Sequence, residues 1–74
     1  MTNEEKLQTL TDSEGFDDPL TMVEEFFNEG TVPGICMNDD CDYTAHYEPD
    51  QDRGWCELCG TNTVKSAMVL LGII

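Results

Sequence analysis

Cys36-Met37-Asn38-Asp39-Asp40-Cys41 and Cys56-Glu57-Leu58-Cys59-Gly60 are the two stretches that decide how this chain folds. The first is a C-x4-C pair and the second a C-x2-C-G pair, with 14 residues between them. Tetrahedral zinc needs four soft or borderline donors, each sulfur about 2.3 Å from the metal. Two tight turns that each present two thiolates supply them at little cost in loop entropy. In such a turn backbone N–H groups must point at sulfur, and a glycine directly after the second ligand, here Gly60, permits the dihedral angles this requires. The spacing therefore predicts one structural zinc held by Cys36, Cys41, Cys56 and Cys59, with every coordination position filled.

Other uses of the four cysteines fit less well. Two disulfides require an oxidising compartment. Met1-Thr2-Asn3-Glu4-Glu5-Lys6 has neither the positive flank nor the apolar run of a secretory signal, so the expectation is a cytoplasmic protein. Iron in the same thiolate cage stays open, because geometry does not choose between the two metals. The order C-x4-C-x2-C of plant-type iron–sulfur proteins is not met. A redox C-x2-C would need a βαβ setting, and acidic neighbours raise a thiol's pKa.

Outward from the cysteines, Val32-Pro33-Gly34-Ile35 reads as a short extended entry to Cys36. Tyr43, Ala45 and Tyr47 alternate with Thr44 and His46, a strand pattern, and Glu48 to Gly54 is a polar turn-rich loop. Trp55 starts a second strand-like approach to Cys56, so the segment between the pairs predicts a hairpin under the metal. Trp55, Tyr43 and Tyr47 are expected to form a small core there. Thr61–Val64 suits a strand, and Val64, Ala67, Met68, Leu71 and Ile74 fit the face of a short C-terminal helix turning back onto the domain.

Ahead of the cysteines, Asp18 is a suitable N-cap, Pro19 a first helical residue and Gly30 the residue past the end, which predicts an amphipathic helix over roughly 19–29. Leu20, Val23 and Phe27, with Met22 and Phe26 beside them, form its apolar stripe. Glu24, Glu25 and Asn28 take the wet face. Residues 1–17 have little periodic apolar content (Leu7, Leu10, Phe16), a composition that predicts partial disorder. The expected organisation is an acidic, partly disordered segment over 1–17, the helix over 18–30 and a four-cysteine domain over 31–74: a small α+β, metal-stabilised fold.

Gly34-Ile35-Cys36-Met37-Asn38 together with Gly54-Trp55-Cys56-Glu57-Leu58-Cys59-Gly60 resembles a zinc ribbon, in which two cysteine knuckles at hairpin tips clamp one zinc. Residues 34–74 are similar to small zinc-ribbon-like proteins of bacteriophages and bacteria. The resemblance covers a little over half the chain. It implies a fold and the ligands Cys36, Cys41, Cys56 and Cys59, and no activity. The four-residue spacing of the first knuckle departs from the usual two and bears on its turn type.

Charge narrows the function classes. The 74 residues carry 16 Asp+Glu against 3 Lys+Arg, a formal −13, and 39% of residues are hydrophobic. A core this small seldom supplies more than about 3–5 kcal/mol, and self-repulsion at −13 adds to the shortfall. Residues 1–30 hold −8 and Cys36–Cys59 holds −6, whereas Lys65 is the only charge from Gly60 onward. Zinc held by four thiolates brings the total to −15. Zinc ribbons often bind nucleic acid, but such affinity rests on Lys and Arg neutralising phosphates, so direct nucleic-acid binding is disfavoured.

An acidic module that binds a protein with a basic surface is the better expectation. A phosphate mimic occupying the groove of a nucleic-acid enzyme is the alternative, and a charge that merely keeps the domain soluble is the plainest reading. No enzyme activity is expected: Glu48, Asp50 and Asp52 could pass for paired catalytic carboxylates, but Pro49 and Gly54 mark their surroundings as a turn. Asp39, Asp40 and Asp42 lack the central Gly and final Glu of a calcium loop. His46 is expected at the surface or in packing. No membrane contact is expected, since the apolar run 67–74 is far short of the about 20 residues a span needs. That run (Val69, Leu70, Ile73, Ile74) could instead join two copies.

Overall fold

A computed structural model describes residues 2–73. Helix α1 (Asn3–Ser13) is followed by α2 (Pro19–Phe26), a single 3-10 turn (Phe27–Glu29), and the strands β1 (Val32–Cys36), β2 (Thr44–Tyr47), β3 (Gly54–Cys56) and β4 (Thr61–Ser66). A short helix α3 (Ala67–Leu70) ends the fold. The four strands form one antiparallel sheet in the order β2-β1-β4-β3. Small α+β architecture is thus as expected, and so are the C-terminal strand and the helix that packs back on the core through Ala67 and Met68. No helix among the described residues is long and apolar enough to cross a membrane.

Where the sequence predicts a partly disordered segment over 1–17, the structure has helix α1 over Asn3–Ser13. Thr2 and Glu5 form a reciprocal capping box: the Thr2 side chain accepts from the Glu5 N–H, and the Glu5 carboxylate accepts from the Thr2 N–H at 3.1 Å. The Thr2 N–H and the Thr2 hydroxyl, both donating to the carboxylate, also hold the Glu5 carboxyl below its ordinary pKa. Lys6, Leu7, Leu10 and Thr11 then form a buried face. Two leucines suffice because they join a core built mostly from elsewhere: Met22 and Val23 of α2, Val32 and Ile35 of β1, and Ala67 and Met68 of α3.

Helix α2 starts as predicted, with Asp18 capping the Thr21 N–H and Pro19 in the first turn. Its apolar stripe is rotated from the predicted one. Met22 and Val23 are buried and Phe26 packs on the core, while Leu20 and Phe27 are exposed. The chain tightens to a 3-10 turn from Phe27, and the larger rotation per residue carries that ring off the buried face.

The hairpin predicted between the cysteine pairs does not form either. β2 pairs with β1 and β3 with β4, so β2 and β3 occupy opposite margins of the sheet. Each cysteine pair is itself the turn of a hairpin, and the 48–53 loop crosses from one hairpin to the other. Ser66 ties that loop down: its hydroxyl donates to the Pro49 carbonyl at 2.6 Å, its N–H donates to the Gln51 carbonyl at 2.9 Å, and its Oγ caps α3 by accepting from Val69.

The sheet curls so that the Tyr47 hydroxyl donates to the Trp55 carbonyl at 2.8 Å. The Tyr47 ring lies over two glycines on different strands. A Cβ placed on Gly54 would stand 2.8 Å from it; one placed on Gly34 would stand 2.8 Å from the ring and 2.9 Å from the Lys65 carbonyl oxygen. Gly34 is therefore required for space. Gly34→Ala is expected to cost about 1–3 kcal/mol, because relieving the clash means moving the β4 backbone. Denaturant unfolding of the metal-loaded protein checks this, and an unchanged midpoint contradicts the close packing.

Candidate metal centre

β1 and β3 run in the same direction and end at Cys36 and Cys56, so the two hairpin turns lie at the same end of the sheet. Cys41 sits within the first turn and Cys59 within the second. The four Sγ atoms all lie within 4.8 Å of one another. Cys36 and Cys59 are 3.9 Å apart, and Cys41 and Cys56 are 3.7 Å apart. A tetrahedron of sulfurs about 2.3 Å from a central ion has edges of about 3.8 Å. The four cysteines predicted as ligands are thus brought together at a separation that could hold one metal ion. Among the described residues they form the one such cluster of Cys, His, Asp and Glu side chains.

Backbone bonds hold both turns. The Cys36 N–H donates to the Tyr43 carbonyl at 2.9 Å, which closes the base of the first turn, and the Met37 N–H donates to the Thr63 carbonyl of β4 at 2.8 Å. Within it the Cys41 N–H donates to the Asn38 carbonyl at 3.1 Å. The second turn is self-contained: the Cys59 N–H points at Cys56 Sγ at 3.4 Å, and the Gly60 N–H donates to the Cys56 carbonyl at 2.8 Å. Gly60 has φ +67, with open space where a Cβ would stand, so the backbone conformation alone calls for glycine.

The thiols perturb one another. Burial opposes ionisation of Cys36. The Thr63 hydroxyl, the Asn38 backbone and the Cys56 and Cys41 thiols outweigh it and bring Cys36 down to about 7. Cys41 accepts a backbone hydrogen bond from Tyr43, which favours its thiolate. Burial and the thiols of Cys59, Cys56 and Cys36 reverse this and push it up to about 12. Negative charge accumulating on thiolates this close together disfavours further ionisation unless a cation compensates it.

The surroundings depart from expectation at one aromatic. Tyr43 and Tyr47 pack against Cys36, Cys41, Cys56 and Val64 as predicted, and burial raises both phenol pKa values. Trp55 does not join them and is 53% exposed. Strand alternation is the reason: with Cys56 turned into the cluster, its neighbour must face the other way. His46 packs, as predicted, edge-on against Phe26 with ring centroids 4.9 Å apart, and its Nε2 lies 3.3 Å from Glu14 Oε1. Asp39, Asp40, Asp42, Glu48, Asp50 and Asp52 are exposed.

Lys6 is the residue that sequence reasoning missed. Its side chain is fully buried, and its ammonium donates to the Asn38 carbonyl at 2.6 Å and to the Cys41 carbonyl, with Asp42 Oδ1 at 3.8 Å. Thr2-Asn3-Glu4-Glu5, readable as a capping box, was the available signal that a helix begins just before it.

Comparison of the chain with protein-family models, with curated proteins and with solved structures finds no match.

Proposed function

We propose that this is a small acidic zinc protein, built on a zinc-ribbon-like pair of knuckles, that acts as a protein-binding module for a partner with a basic surface. Zinc suits four thiolates in tetrahedral array, and with four protein ligands its role would be structural. The observation that carries the binding role is the character of the knuckle end. Trp55 and Leu58 are 53% and 74% exposed on the second hairpin, and Asp39, Asp40, Asp42 and Glu57 are exposed on the two turns. Of the three basic residues Lys6 is buried, Lys65 is half-buried and Arg53 is exposed. Apolar anchors rimmed by carboxylates suit a surface that offers lysines or arginines around an apolar pocket.

The test is affinity capture from lysate at low salt and at about 0.5 M, where surface charge is well screened. Wild type is compared with the double variant Trp55→Ala, Leu58→Ala. Basic proteins are expected on the wild type, with a loss of capture in the variant that survives at high salt. Capture that the substitutions leave unchanged, or captured proteins that are uniformly acidic, contradicts the reading. Capture lost at high salt alone, with nucleic-acid enzymes as the captured set, favours a phosphate mimic. A shift of labelled single-stranded DNA at physiological salt supports direct nucleic-acid binding instead.

A further inference from the structure

Burying an ammonium is costly unless each of its donors finds a partner. Among the described residues the partners of the Lys6 ammonium lie in one short stretch: the Asn38 carbonyl, the Cys41 carbonyl and, at 3.8 Å, the Asp42 carboxylate. The helix that carries it lies more than 30 residues away in sequence, and the side chain is fully buried. The stabilisation that offsets desolvation of this charge is thus directed wholly at the first cysteine turn.

That turn is also the one that needs help. The second knuckle, with two residues between its cysteines, closes through its own N–H groups. The first has four intervening residues, and the Asn38 carbonyl accepts both the Cys41 N–H from inside the turn and the Lys6 ammonium from outside it. The Cys41 carbonyl is held by Lys6 as well. Electrostatics act in the same sense. Four thiolates around a divalent ion leave two negative charges, and a cation held in a poorly solvated position on the backbone of a ligand turn favours the loaded state over the empty one.

We propose that Lys6 is a positioning residue for the metal centre: it fixes the longer cysteine turn, offsets the thiolate charge and couples the docking of α1 to metal occupancy. The proposal rests on the reading of Cys36, Cys41, Cys56 and Cys59 as ligands. Coupling is reciprocal, so the loaded centre holds α1 in place as much as Lys6 holds the centre.

The experiment uses the full chain, loaded with zinc or with cobalt as a spectroscopic probe, in wild type, Lys6→Met and Lys6→Arg. Metal affinity is read by competition with a chromophoric chelator. Lys6→Met keeps the apolar stem and is expected to bind zinc about 10–100-fold more weakly, with a shifted thiolate-to-cobalt charge-transfer band. Lys6→Arg retains the charge and donors and is expected to recover most of the affinity and the wild-type band. If Lys6→Met does not fold, Lys6→Gln, which keeps an N–H donor without the charge, takes its place with the same expected direction.

A neutral variant within about twofold of wild type, when a lost outer partner ordinarily costs tenfold or more, overturns the proposal. Equal weakening of the arginine and neutral variants also overturns it, since packing alone then explains the loss. A wild-type chain that binds neither zinc nor cobalt overturns the metal reading itself, and the proposal with it.

Discussion

Protein purified without added zinc is expected to carry one equivalent of metal, and a strong chelator is expected to unfold the sheet. The end of the sheet that bears both hairpin turns has little else to hold it. Beyond the cysteines, its core consists of Val64 with the partly buried Tyr43 and Tyr47. Structural zinc contributes on the order of 10–16 kcal/mol in finger peptides, several times what a core of this size supplies. Cys56→Ser, which removes a buried ligand, is expected to abolish tight binding. Cys59→Ser, at the exposed corner, is expected to weaken it with less loss of fold.

Acid works in the same direction as the chelator. Binding requires thiolates, and Cys41, pushed up to about 12 in the metal-free cluster, must give up its proton to the solvent when metal enters. Stability of the loaded protein therefore grows as pH rises and is lost as it falls. In the metal-free fold the lowered Cys36 contributes stability that is present above the ordinary thiol value and lost as pH falls through about 7, whereas the raised Cys41 acts in the opposite sense, its contribution lost as pH rises through about 12. Metal analysis together with circular dichroism across this range checks both. Retained structure with no bound metal would refute the central role of the cysteines.

Leu10→Ala is expected to destabilise the loaded protein by about 2–5 kcal/mol. Were residues 1–17 loose, the substitution would be silent. Leu10 is instead completely buried among Met22, Val23, Ile35 and Met68 of the shared core, and truncating it leaves a cavity that a small domain can close only in part. Gln8→Ala, on the wet face of the same helix, is expected to stay within about 0.5 kcal/mol of wild type, as surface changes usually do. The contrast, read by denaturant unfolding, separates a docked helix from a generally fragile segment.

These expectations divide according to what a linear reading can see. The cysteine cluster was legible because its spacing is local: two residues or four between cysteines, and a glycine after the last. So were α2, with Asp18 and Pro19 at its start, and the strand leading into a short helix at the C-terminal end. Residue Ile74 of that predicted face lies outside the described residues. Val69 and Leu70 are half-buried and Ile73 is exposed.

What escaped was non-local. Helix α1 has too few apolar residues to announce itself, since most of the core it completes comes from α2, β1 and α3. Burial of Lys6 depends on carbonyls more than 30 residues away. Trp55 is a different case: strand alternation beside a ligand cysteine already implied that it faces outward, and the attraction of an aromatic to a small core obscured this. The register of β2 and β3 was hidden because the chain between the cysteine pairs looks like a hairpin until the knuckles themselves are recognised as the turns.

The ring of Tyr47, seated over Gly34 and Gly54 with its hydroxyl on the Trp55 carbonyl, bears on how the protein meets copies of itself. An open sheet ordinarily invites a further strand, its unpaired backbone groups serving as a template for polymerisation. Here the margin formed by β3 is only three residues long, and Tyr47 occupies one of its carbonyls from across the curl. A strand arriving at that carbonyl would first have to lift the ring out of its glycine trough. Encounters at this margin are thereby steered away from backbone ladders and towards contacts between side chains, which can be reversible and selective where fibre growth is neither.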